Sequence, residues 1–273
     1  MKFIPILALT LAASAAVSSL AVAETPGATA AALIAKNQDA LVEIQATLSI
    51  KPEVIDGPPG IGDMINQQPA QEQPGEANGV VIHATGLIIA PLAPLDPGAM
   101  VGDGMELDTP MGKLKLGLKA TISAIKVITA DGHEYPAEVI LRDPVAGLAL
   151  LKLTTPPDGG LTAVALTRDL PAPLPFSQVF DLVRMSADFG RAPAVRLVRI
   201  VQTTPPPVPL YDLTGVLNSP GSAAFDAAGR FLGLTVIPLR AKGGGGSLAA
   251  IAETGLCILP TSEIIRLSAK AMP

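Results

Sequence analysis

The chain alternates between short apolar runs and turn-forming residues, and this alternation constrains its fold more than any other feature. Beyond residue 79, runs rich in Val, Ile and Leu are separated by Gly, Pro, Asp and Asn at intervals of roughly 8–12 residues. Asp131-Gly132 lies between two such runs and predicts a tight β-hairpin. Only the end of the chain has clear helical spacing, which predicts a helix over Ser262–Ala271. Many short strands and one closing helix favour an all-β fold.

The composition fits a large core and many turns. The 273 residues include 49% hydrophobic side chains, 26 Gly and 27 Pro, which suits one large all-β domain or two smaller ones. A formal net charge of −5 provides no basic surface for nucleic acid. The single cysteine, Cys257, cannot form an internal disulfide, and its apolar neighbours predict a buried, unreactive thiol. No Cys/His group has zinc spacing, and the Gly243–Gly246 run lacks a phosphate-loop lysine, so no metal or cofactor is predicted.

Residues 1–23 have the features of a signal peptide. Lys2 supplies a positive charge, an uncharged apolar stretch follows, and Ala21-Val22-Ala23 is a small-residue cleavage site. We therefore predict cleavage after Ala23 and export to the periplasm or the cell exterior. The alternative is an uncleaved anchor. No later stretch reaches the roughly 18 apolar residues that a spanning helix needs, so no further membrane segment is predicted.

The rest of the chain divides into three parts. Residues 24–78 are predicted to hold a short helix, a strand over Ala40–Ile50 and a long, mobile surface loop rich in Gln and Pro. Residues 79–155 and 161–273 form two strand-rich halves. The turn-forming residues between them, at 155–160, predict a linker.

Several motifs in a fixed order resemble one family. They are GVVIHATGLII at 79–89, ITADGHEYPAEV at 128–139, LALLK at 148–152 and PGSAAFDAAGRFLG at 220–233, followed by a final strand and helix. Together they resemble the protease domain of trypsin-like serine proteases of the HtrA/Deg type. The resemblance implies two six-stranded antiparallel β-barrels with a short C-terminal helix.

The resemblance fails at the three positions that would carry catalysis. The histidine position after the first motif holds Ala93, and the aspartate position after Asp143-Pro144 holds Gly147. The nucleophile position holds Pro220. Serine proteases need a hydroxyl, a base and a carboxylate that orients the base, and these three residues supply none of them. Proline also lacks the backbone N–H that would serve the oxyanion hole.

Two serines leave open the alternative of an active serine endopeptidase with a non-standard site. Ser219 and Ser222 flank Pro220, and either is a possible nucleophile. Each would need His83 or His133 as its base, because the chain has no other histidine.

Without catalysis, the resemblance implies an inactive, HtrA-like pseudoprotease that binds a protein or an extended peptide by strand addition in the cleft between its barrels. Such a protein would act as a regulatory or accessory subunit. The predicted cleft residues are Asn218, Pro220, Gly221 and Ser222. A purely structural subunit of an envelope complex, with a closed cleft, is the remaining alternative. The sequence defines neither the partner nor the oligomeric state.

Overall fold

The computed structural model describes residues 25–204, 208–214, 220–238 and 255–271. Four predicted features lie outside these residues: the signal peptide at 1–23, the cleft residue Asn218, the alternative nucleophile Ser219 and the glycine run at 243–246. Within the described ranges the chain forms two antiparallel β-barrels, as the sequence predicts. None of the helices in these ranges is long and apolar enough to cross a membrane.

Seven strands build the first barrel and its extension. They are β1 (Leu41–Asp56), β2 (Gln71–His83), β3 (Leu87–Pro91), β4 (Met105–Thr109), β5 (Gly112–Ile128), β6 (Glu134–Asp143) and β7 (Leu148–Leu153). The hydrogen-bonded order is β1-β2-β3-β7-β6-β5, and pairing of β1 with β5 closes the six strands into a barrel. β4 extends the sheet beyond β5. Every second residue of β1 from Val42 to Leu48 lies in the barrel core, because side chains alternate along a strand.

Residues 51–78 are not the mobile loop that their polar sequence predicts. β1 continues to Asp56 and pairs there with β5, while β2 already begins at Gln71 and pairs with β1. A short helix, α2 (Ile61–Asn66), connects the two strands. The prediction is wrong because this ribbon extends beyond the barrel. Its strands form by backbone pairing, while most of its side chains remain exposed and show no apolar alternation.

The second barrel has six strands and is also closed. They are β8 (Gln178–Arg184), β9 (Pro193–Thr203), β10 (Tyr211–Thr214), β11 (Ala223–Phe225), β12 (Phe231–Val236) and β13 (Cys257–Pro260). They pair in the order β10-β13-β12-β11-β8-β9. The remaining helices are α1 (Pro26–Asn37), α3 (Pro97–Val101) and α4 (Thr261–Ala271), with 3-10 turns at Gln38–Ala40 and Ala187–Phe189. α4 is the closing helix that the sequence predicts.

One apolar cluster joins the two barrels. Val80, Ile89 and Leu148 of the first barrel pack in the same buried cluster as Leu182 and Phe225 of the second. Each barrel also has a smaller core of its own. The barrels therefore meet through close apolar packing, and the predicted functional positions lie beside this junction.

Candidate functional site

Backbone contacts bring together the segments that carry the three degenerate positions. The N–H of Leu92, next to Ala93, donates to the carbonyl of Gly147 at 2.8 Å. Gly221, next to Pro220, lies directly against Pro91. The structure thus places these three segments next to one another, at the junction of the barrels.

The histidine position lies in a buried segment whose neighbouring leucines belong to the core of the first barrel. Ala93 is 5% exposed, and its neighbours Leu92 and Leu95 are each 1% exposed. A tight turn fixes the segment, because the N–H groups of Leu95 and Asp96 both donate to the carbonyl of Leu92. The segment is therefore part of the barrel core and offers no proton acceptor to the junction.

The aspartate position has no room for a side chain. Gly147 adopts a φ of +66°, which favours glycine. A Cβ built on it would lie 2.4 Å from the carbonyl oxygen of Ile237 in the second barrel. The nearby Asp143 accepts a hydrogen bond from the Ala146 N–H at 2.9 Å, as a turn residue does. Backbone of the second barrel therefore fills the space beside Gly147, where the resemblance would place the orienting carboxylate.

Gly221, the residue after the predicted nucleophile position Pro220, is packed against the first barrel. Gly221 has a φ of +93°, and a Cβ on it would lie 2.1 Å from the carbonyl oxygen of Asn78 and 2.9 Å from Pro91. Its N–H donates to the carbonyl of Thr235 at 2.7 Å. This turn, Pro220–Ser222, thus links the second barrel to the first and leaves no side-chain-sized gap at Gly221.

Ser222, one of the two alternative nucleophiles, lies inside the second barrel. Both Ser222 and Thr235 are 0% exposed, and their hydroxyl oxygens are 2.6 Å apart. The Ser222 N–H also donates to the Thr235 hydroxyl at 2.9 Å. A substrate carbonyl has no access to a hydroxyl held in this position.

Both histidines contact residues of their own turns. His83 lies at the end of β2, and its Nδ1 is 2.9 Å from the Thr85 hydroxyl. Asn78, which contacts the turn at Gly221, lies on the same strand about 16 Å away from His83. His133 Nδ1 lies 2.8 Å from a carboxylate oxygen of Asp131 at the exposed hairpin. Hydrogen bonds from Thr129 and His133 lower the pKa of Asp131 to about 2. These placements connect neither histidine with the buried hydroxyl of Ser222.

A buried acid that the sequence analysis does not single out lies beside Ser222. Asp181 on β8 is 0% exposed, and neither of its carboxylate oxygens has a hydrogen-bond partner among the described residues. Burial raises its pKa to about 6, and the nearby Ser222 hydroxyl and Arg196 guanidinium limit the rise. A lone aspartate within the apolar run VFDLV at 179–183 is the sequence feature that could have identified it.

A polar pocket of about 660 Å³ opens between the barrels, lined by none of the three degenerate positions. Arg184 and Asp39 are among its lining residues. Arg184 is 5% exposed and donates to the backbone carbonyls of Leu41 at 2.9 Å, Arg191 at 2.7 Å and also Gln38. This guanidinium ties the second barrel to the start of β1.

Other reactive groups offer little chemistry. Cys257 is buried, as predicted, and burial together with the charge of Asp212 raises the pKa of its thiol to about 12. Across the described ranges, His, Cys, Asp and Glu side chains form no group of three or more that could hold a metal ion.

Comparisons with known proteins show the fold. No family model and no curated protein matches the chain. Among solved structures it is similar to the HtrA-type protease AlgWS227A with a decapeptide. The identity is 18%, the TM-score is 0.54, and the match covers 88% of this chain and 66% of that one, just under two thirds. At this identity the similarity shows the fold alone, and it confirms the predicted trypsin-like double barrel.

Proposed function

We propose that this chain is an exported, catalytically inactive HtrA-like protein that binds a protein or peptide partner as a regulatory or accessory subunit. The observation that carries the proposal is the packing at Gly147, where the second barrel fills the space of the orienting carboxylate. The loss of catalysis would then be built into the contact between the barrels, in addition to the three substituted side chains.

The surroundings of the other two positions support the same conclusion. Ala93 is buried, and Gly221, next to Pro220, packs against the Asn78 carbonyl. A triad requires its three side chains to reach one another across a cleft. Here the described parts of the corresponding segments contact each other through backbone and apolar atoms, and no histidine in them faces the turn Pro220–Ser222.

A concentration of exposed apolar side chains in one part of the chain supports binding of a partner. The ribbon formed by residues 51–66 and 105–119, here called the arm, extends beyond the first barrel. Large apolar patches on the surface of a folded protein commonly mark sites where it binds another molecule. The exposed apolar side chains of the arm are Ile55 (49%), Met64 (75%), Leu107 (37%), Met111 (67%) and Leu118 (39%).

The first experiment tests inactivity. The mature chain is incubated with a fluorophosphonate probe that labels activated serines, and we expect no labelling. A triple variant, Ala93→His with Gly147→Asp and Pro220→Ser, serves as the sharper test. We expect it to remain unlabelled, because any side chain introduced at position 147 would overlap the Ile237 carbonyl. Stoichiometric labelling of the unmodified chain would refute the proposal and favour the active alternative at Ser219 or Ser222.

The second experiment tests partner binding. The tagged mature protein is purified gently from its native envelope, and the recovered proteins are quantified by mass spectrometry. We expect a stoichiometric partner that is lost in a Met64→Asp, Met111→Asp variant and retained in the control Phe189→Asp, since Phe189 is also 66% exposed but lies in the second barrel. Retention by both variants would exclude the arm as the surface, and recovery of no partner would contradict the proposal.

The closed junction also favours a purely structural subunit as a second candidate. The similar HtrA-type protease is a structure with a decapeptide, which supports peptides as one partner class for this fold. The packing around Gly221 instead leaves the cleft filled at its centre. Binding of free extended peptides would support the first candidate, whereas a permanent complex with one folded partner would support the second.

A further inference from the structure

Three buried polar side chains lie together below the turn that replaces the nucleophile segment. Asp181, Ser222 and Thr235 are each 0% exposed, and they lie in a barrel whose core includes the apolar side chains of Val179, Ala224 and Ile258. Buried polar groups are normally hydrogen-bonded, so an exception requires a physical explanation. Asp181 is such an exception, because neither carboxylate oxygen has a partner among the described residues.

The strand register defines what faces this carboxyl group. Asp181 lies opposite Ala224 on β11 and opposite Arg196 on β9, and Arg196 is the charged group whose field acts on it. The uncharged hydroxyl of Ser222, the residue before β11, also acts on Asp181, and it contacts the hydroxyl of Thr235 on β12. The phenol of Tyr211 on β10 lies in the same barrel core. Burial raises the pKa of this phenol above its ordinary value near 10, so it stays neutral at pH 5 and pH 7.5.

The described arrangement fits the protonated acid. An ionised carboxylate that is buried without hydrogen bonds carries a large desolvation cost, whereas the cost for the neutral acid is much smaller. Burial accordingly raises the pKa of Asp181 to about 6. The group therefore changes its charge between mildly acidic and neutral surroundings.

Ionisation would act on the turn through Ser222. A buried carboxylate requires proton donors, and the neighbouring donor is the Ser222 hydroxyl, which contacts Thr235 at 2.6 Å. Ser222 follows Gly221 directly, and Gly221 packs against Asn78 and Pro91 of the first barrel. A shift of Ser222 toward Asp181 would therefore disturb the contact between the barrels at the predicted cleft.

We propose that Asp181 is a proton-controlled latch: protonated, it lets the turn Pro220–Ser222 stay locked against the first barrel, and ionised, it draws Ser222 away from Thr235 and loosens the turn. The latch rests on the proposed function, because this turn borders the cleft in which a partner peptide would bind. The cleft would be closed in acidic surroundings and accessible near neutral pH.

Hydrogen exchange measures the latch without any partner. Exchange of the backbone amides over 220–236 is followed by mass spectrometry in the full mature chain at pH 5 and pH 7.5, with correction for intrinsic exchange rates. The carboxyl group of Asp181 has a pKa near 6 when the turn is closed and 3.8 when it is open. Opening of the turn is therefore about tenfold more frequent at pH 7.5 than at pH 5.

Two variants make the measurement specific. Asp181→Asn keeps the shape of the neutral acid, and we expect its opening to change less than twofold between the two pH values. Asp188→Asn removes an exposed acidic charge of the same barrel and should behave like the unmodified chain. The latch is refuted if the unmodified chain shows no tenfold change in opening between the two pH values. It is also refuted if Asp181→Asn shows the same tenfold change. If Asp181→Asn does not fold, the pH profile of the unmodified chain decides, since the latch requires a midpoint near 6.

A binding measurement separates the latch from the proposed function. A fluorescent pool of random decapeptides is titrated with the mature chain at both pH values, and anisotropy reports binding. We expect several-fold tighter binding at pH 7.5 than at pH 5. pH-dependent exchange without peptide binding would leave the latch intact and contradict a peptide partner. Equal peptide binding at both pH values without a difference in exchange would refute the latch and support a peptide partner.

Discussion

Replacing Gly147 with alanine should destabilise the protein much more than the same replacement at Gly132. Both glycines have positive φ values, +66° and +85°, so alanine incurs a backbone cost at either position. The surroundings differ. A Cβ at Gly147 would lie 2.4 Å from the Ile237 carbonyl oxygen, whereas a Cβ at Gly132 has nothing within 4 Å. The pair of variants therefore isolates the contact between the barrels from the backbone effect.

The expected magnitudes follow from these two contributions. The left-handed conformation costs an alanine about 1–2 kcal/mol, and the reduced freedom of the unfolded chain offsets about 0.4–1 kcal/mol of this. These contributions leave a loss of about 1 kcal/mol at Gly132. Overlap with a packed backbone adds about 1–3 kcal/mol, so the loss at Gly147 is expected to be about 2–4 kcal/mol.

Urea unfolding provides the assay. The chain has no tryptophan, so far-ultraviolet circular dichroism follows the transition, and midpoints are compared at a common slope. A clear excess loss for Gly147→Ala over Gly132→Ala would support the filled carboxylate position. Equal losses would show that the second barrel does not occupy this space, and the structural reason for inactivity at Gly147 would fail.

Three further predictions concern buried groups. Arg184→Met should lower the free energy of unfolding in urea by about 3–5 kcal/mol, because three backbone carbonyls lose their buried partner. The control Arg230→Met removes an exposed ion pair and should cost less than about 1 kcal/mol. Similar losses in the two variants would show that Arg184 does not hold the second barrel to β1. Cys257 should resist a thiol reagent at pH 8 until the protein unfolds, because its pKa is raised to about 12, and rapid labelling of the native chain would exclude this burial. The pKa of Asp181 is raised to about 6 from 3.8, so its contribution to stability is complete below about pH 4, and about 3 kcal/mol of it is lost as the pH rises from about 4 to 6. A pH series of unfolding free energies should show that Asp181→Asn removes this loss, and an unchanged loss in the variant would refute the assignment.

The sequence by itself determines the two-barrel fold, and it predicts which residues stand at the catalytic positions. Alternation such as that from Val42 to Leu48 predicts a strand because one face of it must enter a core. The order of the motifs suffices to locate Ala93, Gly147 and Pro220 within a double-barrel framework. The arm escapes such prediction, since residues 51–56 become a strand by pairing with β5, about sixty residues away, and not through an apolar pattern of their own.

Only the tertiary structure decides what fills the site. The sequence shows that Gly147 lacks a carboxylate, but the backbone of Ile237 closes its space, and that contact depends on how one barrel docks on the other. Likewise, a lone acid in an apolar run is visible at Asp181, yet its position beside Ser222 follows from the register of β8 against β11. Local patterns specify which face of a strand is buried, whereas contacts between distant segments depend on packing that no local pattern contains.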